Sequence, residues 1–483
     1  VAQATKEGER RFVVQRHRAR RLHYDFRLEI DGVLVSWAVP RGLTLDPSVR
    51  RAAFHVDDHP MSYFDFEGVI PSGQYGGGDV IVWDAGVWRP YKEEESDPAS
   101  AVARGELHME LFGEKLRGKF VLVRTKAGPS GKEDWLLLHK RDEHAIDGWD
   151  PEDYPRSVLS GRTNDEVKAD PDRLWRSDLP ADQASIKLKV SAAELAELDA
   201  LKASGSWDIF GRTLRVTNLD KVLFPARAGE DPVTKREFLR YAAQIAPVAV
   251  PYLAKRALNL HRFPEGAQSK GVWQKRLPDR APSWLPRWEN HLVVDEPAAL
   301  IWAANFSALE WHPWTSRIDN PDLPTYVLID LDPAAETSWE DLLTLARLHR
   351  TAFEHLRIKA RASVTGRRGI HIWVPIKPGP SFNETREWAK QLSKTVGAVV
   401  PELAGLAPLD YTPNALGKTL VAPYSPRPAA GAPVSVPIDW SELDDPELTP
   451  DRFTIRGLPE RLAAKGDLFQ DVLNYPQDLP RLT

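Results

Sequence analysis

The sequence predicts two domains of different class, an N-terminal small β-barrel and a C-terminal α/β domain. Three observations carry this expectation. At 483 residues the chain exceeds the range over which one hydrophobic core keeps growing. Residues 1 to about 145 alternate apolar and polar positions with period two. Beyond about residue 185 the period lengthens to that of a helix, with strands between. The domains are expected at 1–150 and 206–483. Residues 151–205 read as a linker, because DPEDYPRSVLSGRTNDEVKADPDRLWRSDLPAD is polar and dotted with proline.

Each element follows from its local pattern. FVVQ, LHYDFRLEI, VLVSWAV, DVIVWDA, GKFVLVRT and DWLLLHK are short alternating segments bounded by Gly, Pro and Asp, a spacing that suits a barrel or a sandwich. In the second domain AAELAELDALKAS and TKREFLRYAAQIAP have helical periodicity. A strand TYVLIDLDP, a helix SWEDLLTLARLHRTAFEHL, strands at ASVTG and GIHIWVPI, and a helix NETREWAKQLSKTVGAVV follow. Strand, helix and strand in alternation indicate an α/β fold.

Composition narrows the chemistry. The absence of cysteine excludes disulfides, thiolate nucleophiles, iron–sulfur clusters and Cys-ligated zinc, so any metal must sit on His, Asp or Glu. The apolar run from Ile245 to Ala254 is broken by Pro247 and Pro251 and is too short to span a bilayer, and VAQATKEGERR has no apolar signal-peptide core. A cytoplasmic protein without a membrane partner is expected. The net charge of -5 speaks against nucleic acid as a partner, yet Arg10 to Arg27 holds seven arginines against one acid, Asp25. That local excess of six positive charges suits phosphate. An acidic stretch, Trp440 to Asp451, accounts for part of the negative total.

In Leu22 to Ile30 the alternation is strict. His23, Asp25, Arg27 and Glu29 share one face of a strand, and Leu22, Tyr24, Phe26, Leu28 and Ile30 share the other. His and Asp at this spacing can chelate a divalent ion, with His17 as a third ligand, and Arg27 can donate bidentately to a phosphate. Arg51, His59 and Tyr63 add a second group beside the glycine-rich PSGQYGGGDV. The plain alternative is a solvated face of local ion pairs.

In the second domain an apolar strand ends in Asp330-Leu331-Asp332, so both carboxylates leave one face. Such a pair can hold two hard cations for nucleotide addition, with Asp410 as the third carboxylate; the competing reading is a strand-end turn at Asp332-Pro333. Thr365 to His371 (TGRRGIH) is a glycine-bracketed basic loop able to approach phosphate, and Lys418, Arg427 and His312 extend its lining.

The motifs FVVQRHRARRLHYDFRLEIDG, VDDHPMSYFDFEG and IPSGQYGGGDVIVW resemble the phosphoesterase domain of the bacterial end-joining DNA ligase D family. TNLDKVLFP, SALEWHPW, LIDLDP, SVTGRRGIHIWVPI and LDYTPNALGKTLVAPYS resemble its polymerase domain, of the archaeo-eukaryotic primase superfamily. The resemblance implies that His17, His23 and Asp25 bind manganese, with magnesium as the alternative ion. It implies that Arg27, Arg51, His59 and Tyr63 hold the scissile phosphate and that Glu29 supports them. In the polymerase domain it implies metal binding by Asp330, Asp332 and Asp410, and triphosphate binding by Thr365, Arg368 and His371, with Lys418, Arg427 and His312 nearby. Lys221 and Lys235 would take the 5′-phosphate of a gapped or broken end, and Trp273 would stack on the DNA.

The function so implied is double-strand break repair by non-homologous end joining. It comprises 3′-ribonuclease and 3′-phosphatase healing of DNA ends plus addition of NTP or dNTP. The expected partner is the Ku end-binding protein, at the nucleoid. Two other readings are a non-catalytic end-bridging scaffold and a primase that starts chains de novo. Thr365 and Arg368 stand where serine and lysine are more usual, Pro413 where a polar residue is, and Arg41 and Asp57 replace lysine and glutamate. Neither Asp-Gly pair, at Asp31 and Asp147, has the lysine two residues earlier that a ligase nucleotidyltransferase motif needs, so sealing is expected from a separate ligase.

Overall fold

The computed structural model describes residues 10–71, 74–92, 97–125, 134–177, 179–181, 184–333, 337–399, 409–410 (backbone only), 412–470, 472 and 475–482. The chain divides into two compact units, Val1–Leu188 and Lys189–Thr483.

In the first unit the period-two segments become β1 (Arg10–Arg18), β2 (Leu22–Ile30), β3 (Val33–Val39), β4 (Arg50–Pro60), β5 (Gly68–Ile70), β6 (Gly78–Pro90), β7 (Glu106–Gly113), β8 (Arg117–Arg124) and β9 (Asp134–His139). Pairing runs β1-β2-β3-β4-β9-β8-β7-β6, and β6 returns to β1, closing an eight-stranded barrel without an open edge. Its interior is filled by Phe12, Val14, Tyr24, Phe26, Leu28, Trp37, Trp83, Trp88 and Trp135. This is the apolar phase of the strands, as the alternation requires.

The 151–205 stretch is not a linker. Residues 164–169 form a helix with a Thr163–Glu166 capping box, and β10 (Arg173–Trp175) and β11 (Ser185–Lys187) extend the sheet beyond β5. This segment packs on the outside of the barrel. Trp175 meets Tyr63 at 4.5 Å and Phe66 at 5.4 Å between ring centroids, building a second small core with Leu34, Ile70 and Val80. Its polar residues are spent on the barrel: Glu152 accepts from Arg16 Nη2 at 2.7 Å and from the Tyr24 hydroxyl at 2.5 Å, and Asn164 accepts from Arg16 Nη1 at 2.7 Å. From Lys189 on the chain belongs to the second unit, where Ser191 caps the helix Ala192–Ala200.

The second unit opens with a mixed module of helices and strands. The helices Ala192–Ala200, Lys235–Leu253 and Pro297–Asn305 surround a sheet built on the strands Ala257–Arg262 and Ala308–Pro313. The α/β expectation is met in the sheet that follows, ordered 409–410, Tyr326–Leu331, Ile370–Pro375, Arg361–Val364, Val436–Ile438, with every pair antiparallel. Tyr326–Leu331 and Arg361–Val364, joined by the helix Trp339–Leu356, are therefore parallel to each other with Ile370–Pro375 inserted between them. Among the described residues no helix is long and apolar enough to cross a membrane.

Candidate active sites

β2 sets the first site. Its outward face carries His23, Asp25 and Arg27, while β1 pairs Gln15 with Asp25 and His17 with His23, so two adjacent strands present their polar phase together. His17 Nδ1 lies 3.5 Å from Asp25 Oδ2, His23 Nε2 lies 3.6 Å from Asp25 Oδ1, and the three ligand atoms fall within 4.8 Å of one another. The other nitrogens of both rings face carbonyls, His17 Nε2 at 2.7 Å from Gly76 and His23 Nδ1 at 2.9 Å from Arg21. A carbonyl accepts a proton, so these contacts leave His17 Nδ1 and His23 Nε2 as lone pairs turned to Asp25. This face is not solvated. Asp25 and Arg27 are 6% and 2% exposed.

Burial alone would raise the Asp25 carboxyl, but the Arg27 guanidinium, Nη2 to Oδ2 at 3.1 Å, outweighs it and holds Asp25 well below the usual carboxylate range. Arg27 also donates Nε to Gln15 Oε1 at 2.8 Å, and Nη1 to Ser36 Oγ at 2.8 Å and to His59 Nδ1 at 2.9 Å. Of the five N–H donors a guanidinium carries, one on Nη2 remains for a phosphate oxygen. The bidentate phosphate grip expected of Arg27 is therefore replaced by a single donor, and Arg27 chiefly positions Asp25.

Burial and the Arg27 charge lower His59 to about 4, so the ring is neutral at physiological pH. A bulge in β4, where Leu34 pairs with His59 but Ser36 with Val56, is what turns His59 to the outer face. The Tyr63 ring lies 5.0 Å from the Arg27 guanidinium carbon and 5.1 Å from the His59 ring, and burial pushes its phenol up. Arg51 is not brought to this group. The same bulge leaves it in phase with Ala53 and His55, which stacks on Trp37, so Arg51 lies on the interior face with its Nε buried. Glu29 pairs with Arg11 at 2.8 Å, and Asp57 is exposed.

Most of the arginine excess is neutralised in space. Arg16 pairs with Glu152, and Arg18 with Asp79 and Asp165 at 2.7 and 2.6 Å. Arg20 and Arg21, in the β1–β2 turn beside His23, stay exposed. Sequence reasoning missed Gln15, fully buried, whose amide donates to the carbonyls of Tyr63 and Phe66 at 3.1 and 2.9 Å while its oxygen receives Arg27. Its signal was available: Gln15 is two residues before His17, in the polar phase of a strand.

In the second unit Asp330 is the penultimate residue of the strand Tyr326–Leu331. It pairs in register with His371 on one side and with Asp410 on the other, and His371 Nε2 lies 3.4 Å from its carboxylate. Asp332 is exposed just beyond the strand, and the Asp410 side chain lies outside the described residues. Burial, then Arg427 and His312, lower His371 to about 3. The basic loop is braced from within, because Thr365 Oγ1 accepts from the Gly369 and Arg367 amides at 3.1 and 3.3 Å. Gly366 has φ +72°, and a Cβ there would meet the Val434 carbonyl at 2.9 Å, so the position needs glycine. Arg367, Arg368 and Lys418 are exposed. Arg427 donates Nη1 to the Thr365 carbonyl at 2.9 Å and Nε to Glu310 at 2.6 Å, joining the loop to the strand that carries His312.

Lys221 and Lys235 are adjacent, the Lys235 amide donating to the Lys221 carbonyl at 2.8 Å. Lys235 is buried, and burial with the Lys221 charge lowers it to about 8, the response of a cation waiting for an anion. Trp273 is half exposed and stacks on His261, ring centroids 4.2 Å apart and planes 2° from parallel.

Imidazole and carboxylate ligands beside phosphate-type donors, on a barrel and again at a strand end beside a basic loop, define a metal-dependent class of phosphoryl-transfer enzyme with two sites. The comparisons make the class specific. Residues 15–124 match the DNA Ligase D 3′-phosphoesterase domain and residues 234–469 the LigD primase-polymerase domain, and the chain belongs to this family. The multifunctional non-homologous end joining protein LigD of Pseudomonas aeruginosa is 52% identical over 157 residues, covering 32% of this chain and 18% of that protein. The bifunctional LigD of Bacillus subtilis is 29% identical over 282 residues, 55% of this chain and 45% of that one. The chain thus spans less than half the length of these relatives. The polymerase domain of Mycobacterium tuberculosis Ligase D, solved with DNA, aligns over 54% of this chain and 97% of its own at 26% identity, with a TM-score of 0.48.

Proposed function

We propose that this chain heals and extends DNA ends in double-strand break repair by non-homologous end joining. The first domain would remove a 3′-terminal ribonucleoside and then the 3′-phosphate, leaving a 3′-hydroxyl, and the second would add nucleotides to it. The observation that carries the reading is the His17–His23–Asp25 trio, with His17 and Asp25 buried, its ligand atoms converging and its carboxylate ionised.

A bound divalent ion would supply Lewis-acid polarisation of a phosphate oxygen and a water of lowered pKa. His17, His23 and Asp25 would hold that ion, for which we infer manganese from the family resemblance; the imidazole donors disfavour magnesium. Arg27 keeps Asp25 anionic and offers its remaining N–H to the phosphate. Neutral His59, whose Nδ1 receives the Arg27 N–H, presents its Nε2–H to a phosphate oxygen. In the polymerase domain Asp330, Asp332 and Asp410 would hold the ions that link primer hydroxyl and triphosphate, with Arg368, His371, Lys418 and Arg427 toward the triphosphate. Ku and a separate ligase would act before and after these steps.

The test is a primer–template ending in a single ribonucleotide, incubated with manganese and the full chain. Conversion to a shortened 3′-hydroxyl end supports the reading. A primer whose terminus stays intact contradicts it.

A further inference from the structure

We propose that His261, Glu310 and His312 form an additional divalent-metal site, built for a borderline ion such as zinc; none of the three belongs to the metal-ligand sets His17–His23–Asp25 or Asp330–Asp332–Asp410, although His312 is also expected to line the triphosphate pocket. The strands Ala257–Arg262 and Ala308–Pro313 pair antiparallel with His261 opposite Glu310. His312 follows Glu310 by two residues, so all three side chains leave one face. His261, Glu310 and His312 each turn one ligand atom inward, and the three atoms lie within 4.8 Å of one another. Two imidazoles and a carboxylate are a three-ligand set that leaves a coordination position open, and imidazole donors favour zinc or manganese over magnesium.

The surroundings fit that use. Glu310 is buried, 3% exposed, between His261 and Arg427. Its Oε1 receives Arg427 Nε at 2.6 Å, which fixes the carboxylate and leaves Oε2 to the ligand set, as hydrogen bonds to metal-binding carboxylates do. His312 Nε2 is buried without a hydrogen bond; at 3.6 Å it is too far from Glu310 Oε2 to form one. An orphaned buried nitrogen is disfavoured by roughly 1–3 kcal/mol, and an ion would satisfy it. Without metal, His261 Nδ1 and Glu310 Oε2 share a hydrogen bond of 2.6 Å. Metal binding would place the imidazole proton on Nε2 and free the Nδ1 lone pair. Trp273, stacked flat on His261, sets the plane of that ring. With Arg427 adjacent, the centre carries net positive charge, and its open position suits water or an anionic oxygen.

The proposal does not depend on the catalytic reading and is read by binding rather than activity. In the full chain carrying His23→Ala, with magnesium saturating the strand-end carboxylates, cobalt should give one equivalent of visible ligand-field absorption that zinc displaces and magnesium does not. His261→Phe, which keeps an aromatic ring against Trp273, should abolish it, and Glu310→Gln should weaken binding at least tenfold. No such absorption in the His23→Ala chain, or unchanged affinity in His261→Phe, would overturn the site. The unsubstituted chain gives a second test: zinc should protect His261 and His312 from carbethoxylation read by mass spectrometry, and equal modification with and without zinc would also overturn it.

Discussion

The barrel and the central sheet of the second unit both gather ligands and cations for phosphate, but they place them differently. In the barrel the ligands sit on two paired strands, and the one carboxylate, Asp25, is buried with Arg27 already against it. At the strand end Asp332 is exposed, and the loop arginines Arg367 and Arg368 are exposed as well. A buried charge must be matched inside the protein before any substrate arrives, whereas an exposed set can wait for the charges that metal and triphosphate bring. The first site is therefore preorganised by its neighbours, and the second is completed by its ligands.

The largest expected effects break the comparison outright. Asp330→Ala with Asp332→Ala should abolish nucleotide addition while the chain still binds DNA ends, as gel-shift and extension assays on one preparation would show. Next comes Gln15→Leu, which removes the hydrogen-bonding partner of Arg27 without touching a ligand. It should lower phosphoesterase activity about 10- to 100-fold and raise the manganese requirement, with extension unchanged. A purely structural role for Gln15 would leave the manganese requirement where it was. Trp175→Ala tests the cover itself: it should destabilise the first unit by about 3 kcal/mol in denaturant unfolding and reduce healing by freeing Tyr63.

A smaller effect separates the regions by pH. His349, buried in the helix Trp339–Leu356, is lowered to about 4 by desolvation, and its unfolded value is about 6.5. The unfolded chain takes up its proton first, so the stabilisation is complete above about 6.5 and declines as pH falls toward 4. Going from pH 7 to 5 should weaken the second unit by about 2 kcal/mol through this residue, seen as lower amide protection factors in that helix once the intrinsic exchange rate at each pH is divided out. The smallest effect is Lys221→Ala, which should reduce the salt dependence of binding a 5′-phosphorylated end by about one phosphate contact.

Much of this was legible in the sequence because it depends on period and neighbours along the chain. Strict alternation from Leu22 to Ile30 separated the barrel interior from the ligand face, and an apolar strand ending in Asp-x-Asp marked the edge of the central sheet. The failures arose where chain neighbours are not space neighbours. The polar stretch after residue 150 has linker composition because its charges are committed to Arg16 and Arg18 across the fold. Arg51 lies on the interior phase because a one-residue bulge follows it, and no composition rule signals a bulge. The Glu310–His261 pairing joins residues 49 apart, set by strand register alone.

The most direct test of two independent sites uses a gapped duplex bearing a 3′-phosphate, supplied with manganese and nucleotides, with healing and extension scored separately. The account predicts that His23→Ala leaves the 3′-phosphate in place yet extends a matched 3′-hydroxyl primer. The Asp330→Ala, Asp332→Ala chain should heal the end and stop there. Loss of both activities in either variant would contradict it.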